Sequence, residues 1–108
     1  LLNSAIDELK PFLEEFITSN FNTPIISNVT TKKYDTKEEA ISLLSQQLVS
    51  PVKYKQSILA NYENIDTFIE FGNGSVLKGI NRKIIKSIST LNVSDFKTLE
   101  ATIGSLND

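Results

Sequence analysis

Cysteine and histidine are both absent from the 108 residues of this chain. Without cysteine there is no disulfide, no zinc–thiolate site and no thiol nucleophile. Without histidine the commonest general base and metal ligand is missing, so neither a Ser-His-Asp nor a Cys-His mechanism can be completed inside these residues. Methionine is absent too. The chain opens on Leu1-Leu2, already in an amphipathic pattern, and is therefore expected to be a piece of a longer one. No apolar run approaches the ~20 residues of a membrane helix, which excludes a helical membrane span. Charge of one sign is also lacking. Eleven basic and 13 acidic residues leave a net charge of −2, which argues against a general nucleic-acid binder. No basic stretch leads into an apolar one at the start, so no secretory signal is visible. Asn28-Val29-Thr30, Asn73-Gly74-Ser75 and Asn92-Val93-Ser94 match the glycosylation triplet, but such triplets arise by chance in an Asn- and Ser-rich chain.

The remaining composition, 40% apolar and 22% charged, is that of one small globular domain. Leu2, Ile6, Leu9, Leu13 and Phe16 recur at helical intervals, and Pro11 predicts a kink or fresh start within that helix. Residues 24–29 read as a strand between turn formers. Thr36 to Glu39 is a capping box: Thr36 accepts from the Glu39 N–H, and Glu39 reaches back to the Thr36 N–H. The helix that follows carries Ala40, Ile41, Leu44 and Leu48 on one face. Ser50-Pro51 ends it and reads as the N-cap and first position of the next helix, which runs to about Tyr62. A second strand is predicted over 67–71 and a third over 86–91. Between them lie a turn at 72–75, a possible N-cap at Ser75, and a helix with Val76, Leu77, Ile80 and Ile84 facing inward. A last helix starts at Ser94 or Asp95, with Phe96, Leu99, Ile103 and Leu106 on its inner face. Strands alternating with helices point to an α/β fold around a parallel sheet. No repeat, low-complexity tract or linker interrupts it.

Few residues carry chemistry of their own. A strand, Gly72-x-Gly74 and a helix resemble the start of a dinucleotide fingerprint, but Leu77 stands where the third glycine belongs and Asn92 where an acidic residue is needed. The sequence reading is a tight turn, with Gly79 allowing close helix packing. Glu14-Glu15 and Glu38-Glu39 are adjacent pairs that do not face each other on a helix, so they are solvated or serve the helix dipole. Glu70 lies near the end of a buried strand. It reads as a structural carboxylate held by a nearby donor, with a functional role as the alternative.

Three stretches taken together resemble one family. They are Pro24-Ile25-Ile26-Ser27-Asn28-Val29-Thr30, Gln47-Leu48-Val49-Ser50-Pro51-Val52, and Phe68-Ile69-Glu70-Phe71-Gly72-Asn73-Gly74-Ser75-Val76-Leu77-Lys78-Gly79. In this order and spacing, and over essentially all of residues 1–108, the chain resembles the C-terminal third of bacterial malonyl-CoA:acyl-carrier-protein transacylases. It departs from the family at Asn73, where Gly-Pro-Gly is usual. The resemblance implies the C-terminal portion of a hydrolase-like acyltransferase large subdomain, without the ferredoxin-like insert. It implies a reaction in which a serine takes malonyl from coenzyme A and passes it to the phosphopantetheine thiol of acyl carrier protein, in fatty acid biosynthesis. The serine, the histidine and a malonyl-binding arginine would all lie upstream of Leu1. These 108 residues alone should then be inactive, and they should fold poorly, because the implied sheet lacks its earlier strands. The implied partners are malonyl-CoA and acyl carrier protein, with no nucleic acid and no membrane, and the implied location is cytoplasmic. No metal and no cofactor is implied, coenzyme A thioester being a substrate.

The resemblance also assigns roles. At the position of Gln47 the family turns a main-chain carbonyl toward the catalytic histidine. An independent argument agrees: a helical carbonyl at 47 would accept from the N–H of 51, and Pro51 has none. Gly72 and Gly74 form the structural turn. Lys78, Arg82, Lys83 and Lys86 form a basic cluster with no acidic residue between Glu70 and Asp95. Lys78 and Arg82 are read as an outward ridge with Lys83 beside it, and the family is thought to meet its acidic carrier at the positions of Arg82 and Lys83. Two other classes stay open: an acyltransferase domain of a polyketide synthase, and a non-catalytic α/β interaction module.

Overall fold

The computed structural model describes residues 2–107, and Leu1 and the side chain of Leu2, both part of the first apolar pattern, lie outside the described residues. The chain divides into two compact units, Leu1–Ala60 and Asn61–Asp108.

In the first unit, helix α1 spans Leu2–Phe16 and runs unbroken through Pro11, where a fresh start was one expectation. Proline removes a single helical hydrogen bond there, and the apolar stripe on either side carries the helix across it. The strand expected over 24–29 is corrected to a two-residue strand β1, Ile25–Ile26, paired antiparallel with β2, Lys33–Tyr34. The reason is Ser27. Its hydroxyl accepts the N–H groups of Val29 and Thr30, at 3.0 and 3.4 Å, and turns the chain back before the strand can continue. Thr31 closes the loop at φ 65°.

Helix α2 spans Lys37–Gln47 and begins at the expected cap. The Thr36 hydroxyl accepts from the Glu39 N–H at 3.2 Å. The return contact differs from expectation, because the Glu39 carboxylate accepts the Thr36 hydroxyl, at 2.9 Å, and not its N–H. Helix α1 packs against α2, and the interior of this unit is Tyr34, Ala40 and Ile58. Phe21 meets Tyr34 edge-on at 6.3 Å, and burial pushes the Tyr34 phenol above its usual range. Helix α3 starts at Tyr54 and runs to Asn61, so Pro51 is not its first residue. Residues 51–53 belong to no helix or strand, and the Lys53 N–H is tied to the Asn28 carbonyl at 3.1 Å, which delays the helix.

The second unit is β–α–β–α after a single 3-10 turn at Tyr62–Asn64. Strand β3 (Phe68–Phe71) pairs parallel with β4 (Thr90–Val93), Phe68 opposite Thr90 and Phe71 opposite Val93. Helices α4 (Val76–Ile84) and α5 (Phe96–Asn107) both pack on β4. The third strand thus begins at Thr90, later than the expected 86, because Lys86 and Ser87 form a turn off the end of α4.

Helix α5 buries a different face from the one expected, and α4 buries only one edge of its expected face. On α4 the buried residue is Asn81, at 2% exposure, and Ile84 beside it is half-buried as expected, while Val76, Leu77 and Ile80 stay exposed. On α5 it is Thr102, while Phe96, Leu99, Ile103 and Leu106 are exposed. Apolar periodicity identifies a face that avoids water. In this unit α5 turns its small polar face, Thr98 and Thr102, inward instead, and α4 turns inward the edge that carries Asn81 and Ile84. Gly79 has nothing within 4 Å of where a Cβ would sit, so close helix packing is not its role here.

Candidate functional site

Two places carry the sequence-predicted residues, one in each unit. The first is the end of α2. With no N–H at Pro51, the last turn tightens into bonds to the third residue: Leu48 N–H to Ser45 O at 3.3 Å, Val49 to Gln46 at 3.0 Å, and Ser50 to Gln47 at 3.4 Å. This is how a helix end satisfies carbonyls that lack a regular donor. The Gln47 carbonyl therefore keeps one long bond. A carbonyl oxygen has two lone pairs, so it retains capacity for a second donor. Gln47 itself is half-buried, at the border of the α2 face.

The second place is the turn from β3 into α4. Gly72 and Gly74 take φ +127° and +84°, the conformations expected of them. Ser75 holds the N-cap position but its side chain makes no capping bond. The cap is Glu70. Its two carboxylate oxygens accept the N–H groups of Leu77 at 2.9 Å and Lys78 at 3.1 Å. The structural reading of Glu70 is thereby supported, with backbone donors. A carboxylate already sits where a dinucleotide fold would place its pyrophosphate, which is a physical reason that this turn is not such a site. Asn92, on β4, donates its amide to the carbonyls of Glu70 at 3.2 Å and Gly72 at 3.3 Å, pinning the turn from the other side.

The basic cluster is split. Lys78, Arg82 and Lys86 line a cavity of about 420 Å³ with Ser89, Thr90 and Leu91. Lys83 does not line it; one position on, it is rotated by about 100° around α4. A second cavity, about 280 Å³, shares Lys78 and Leu91 and is otherwise lined by Asn92, Thr98, Ala101 and Thr102. Sequence reasoning missed Asn81, Asn92 and Thr98. Thr98 closes a reciprocal cap at the start of α5: its N–H donates to Asp95 Oδ1 at 2.8 Å, and the Asp95 N–H donates to its hydroxyl at 3.0 Å. The spacing Asp-x-x-Thr was the available signal, an analogue of the capping box already read at Thr36.

Among the described residues no group of acidic side chains is placed to hold a metal ion, and no helix is long and apolar enough to cross a membrane.

No family model matches the chain. The malonyl CoA-acyl carrier protein transacylase of Bacillus subtilis (strain 168) is 37% identical over 113 residues, covering 100% of this chain and 34% of that protein. The solved malonyl-CoA:acyl carrier protein transacylase of Helicobacter pylori is similar with a TM-score of 0.88 and 38% identity, over 95% of this chain and 33% of that one. A solved malonyl-transacylase in complex with its type II PKS acyl-carrier protein matches with a TM-score of 0.84 and 25% identity, over 96% of this chain and 34% of that one. The chain thus spans about a third of the length of the relatives it matches. Its fold is the α/β fold of those acyltransferases.

Proposed function

We propose that this chain forms part of a malonyl-CoA:acyl-carrier-protein transacylase. The observation that carries the reading is similarity along the whole chain, in sequence to the Bacillus subtilis enzyme and in fold to the Helicobacter pylori one. In the reaction so proposed, a serine hydroxyl outside these residues attacks the malonyl thioester and expels coenzyme A as its thiol. The carrier's phosphopantetheine thiol then attacks the seryl ester, takes the malonyl group and returns the proton to the serine. The Gln47 carbonyl accepts the N–H of the histidine that moves these protons. It is a positioning group, fixing the tautomer and orientation of the imidazole as a triad carboxylate does elsewhere. Its long bond to Ser50 and the missing donor at Pro51 favour that role.

Arg82 and Lys83, with Lys78, are proposed to meet the acidic carrier protein. Complementary charge mainly speeds encounter and is weakened by salt. Charge reversal at Arg82 and Lys83 then raises KM for the carrier at low salt and leaves KM for malonyl-CoA unchanged. The reaction is proposed to be cytoplasmic.

The test is an assay of the longer polypeptide that contains these residues. It should transfer radiolabelled malonyl from malonyl-CoA to the thiol-bearing carrier, with a malonyl-enzyme ester trapped in the absence of carrier. Transfer of an uncharged acyl group in preference to malonyl would favour a polyketide-synthase acyltransferase of other specificity. Failure to form any acyl-enzyme would favour a non-catalytic module.

A further inference from the structure

Ser27 is 4% exposed, and its bonds reach beyond the reversal of β1. Its N–H donates to the Lys32 carbonyl at 3.0 Å, its carbonyl accepts the Thr31 N–H at 2.9 Å, and its hydroxyl accepts the Val29 and Thr30 N–H groups. The Val29 N–H and the Asn28 carbonyl belong to one peptide unit, and a trans peptide points them in opposite directions. Holding that N–H on Ser27 Oγ at 3.0 Å therefore aims the Asn28 carbonyl away from Ser27. There it accepts the Lys53 N–H at 3.1 Å. Lys53 is held from its other side as well. Its carbonyl accepts the N–H and the hydroxyl of buried Ser57, at 2.9 and 2.7 Å.

Lys53 is thus a fixed joint between the end of α2 at Gln47 and the start of α3 at Tyr54. Pro51 alone does not keep the Gln47 carbonyl open. It deletes the donor four residues on, but the N–H of Val52, five residues on, can close a wider turn onto the same carbonyl. With Lys53 fixed on Asn28, residues 51–53 leave the helical path, and the Gln47 carbonyl takes its main-chain bond from Ser50 instead. We propose that Ser27 is a positioning residue for the transfer reaction. Through the Asn28–Val29 peptide and Lys53 it keeps the Pro51 segment off the Gln47 carbonyl, leaving that carbonyl for the imidazole. The proposal rests on the reading of Gln47 given above and adds the residue that enforces it from a different loop. A purely structural Ser27 would only turn the chain after β1, and the two roles predict different kinetics.

The experiment is the pH–rate profile of malonyl transfer by the longer polypeptide and its Ser27→Ala, Ser27→Thr, Lys53→Pro, Pro51→Ala and Thr36→Ala variants. Ser27→Ala removes the acceptor that orients the Asn28–Val29 peptide. It should lower kcat several-fold and displace the pKa of the profile in the same direction as Pro51→Ala, with KM for malonyl-CoA unchanged. Ser27→Thr keeps a hydroxyl able to make the same turn and should restore the profile. Lys53→Pro cuts the tie from its other end by removing the N–H, and should reproduce the displacement. Thr36→Ala removes the cap at the far end of α2 and should lower the melting temperature without moving the profile. Should Pro51→Ala move the profile while Ser27→Ala does not, the proposal is overturned and the role of Gln47 stands. Should neither move it, both fall. A Ser27→Thr profile displaced as far as that of Ser27→Ala would overturn the proposal. A silent Lys53→Pro, or an equal displacement from Thr36→Ala, would do so too, the last by marking general loosening of α2.

Discussion

The side-chain amide of Asn81 donates to the Thr90 hydroxyl at 3.0 Å, and the two residues are 2% and 6% exposed. This bond ties α4 to the first residue of β4 and explains why α4 turns a polar position toward the sheet. Removing one partner leaves the other buried without it, which costs more than replacing both with apolar groups. Asn81→Ala should therefore destabilise by about 2–3 kcal/mol, the amide loss and the small void acting together. Thr90→Val should cost about 1–3 kcal/mol. The double variant Asn81→Leu/Thr90→Val should be more stable than the sum of single losses. Denaturant unfolding of the three measures this, and strictly additive losses would contradict it.

The elements that were legible in the sequence are those fixed by local chemistry. The cap at Thr36, the strand at Phe68–Phe71 and the positive φ of Gly72 and Gly74 each follow from residues within four positions of one another. What was not legible depends on which face another element covers. Periodicity in α5 separates Phe96, Leu99, Ile103 and Leu106 from Thr98 and Thr102, but it does not say which set meets β4. Likewise a β-rich run at 24–29 contains no sign that the Ser27 hydroxyl will reverse it. In the candidate site, spacing alone placed Lys78 and Arg82 on one ridge. That Lys86 joins them in a cavity depends on how the chain leaves α4, which is a tertiary matter.

Glu70 and the two turn glycines hold the start of α4 by different means, and substitution separates them. Glu70→Ala removes the acceptor for the Leu77 and Lys78 N–H groups and should cost about 1 kcal/mol, as loss of a helix cap does. Gly74→Ala should cost about 1 kcal/mol or more through backbone conformation alone, because no atom lies within 4 Å of the new Cβ. Asn73→Pro should leave the melting temperature unchanged or raise it: no hydrogen bond of the Asn73 N–H to another described residue would be lost. A clear fall would mean that position 73 cannot accept a proline φ.

Asp95 links α5 to acid stability. Its carboxylate accepts the Thr98 N–H and hydroxyl, each at 2.8 Å, and these bonds hold the group below its ordinary value of 3.8. A carboxyl whose folded value is depressed adds stability that is present above the unfolded value and is lost as pH falls through the folded one. Asp95→Asn can still cap the helix, so it should change little at pH 7. It should flatten the decline in stability below about pH 4. Melting temperatures between pH 2 and 7 measure this. An unchanged acid limb in the variant would show that Asp95 does not contribute to it.

Pro51 bears on Gln47 only through the donor it lacks. With proline at 51, the Gln47 carbonyl takes one bond of 3.4 Å from Ser50 and keeps a lone pair for another donor. An alanine there restores an N–H four residues on, which can capture the carbonyl in a regular helical bond. If that carbonyl orients an imidazole, Pro51→Ala lowers kcat of the longer polypeptide several-fold and shifts the pKa governing its pH–rate profile, while KM for malonyl-CoA stays the same. Gln47→Ala keeps the carbonyl and should cost little, which distinguishes a main-chain role from a side-chain one. A merely structural effect of Pro51→Ala would lower stability without moving the pH profile. Unchanged turnover with an unchanged profile would remove Gln47 from the mechanism.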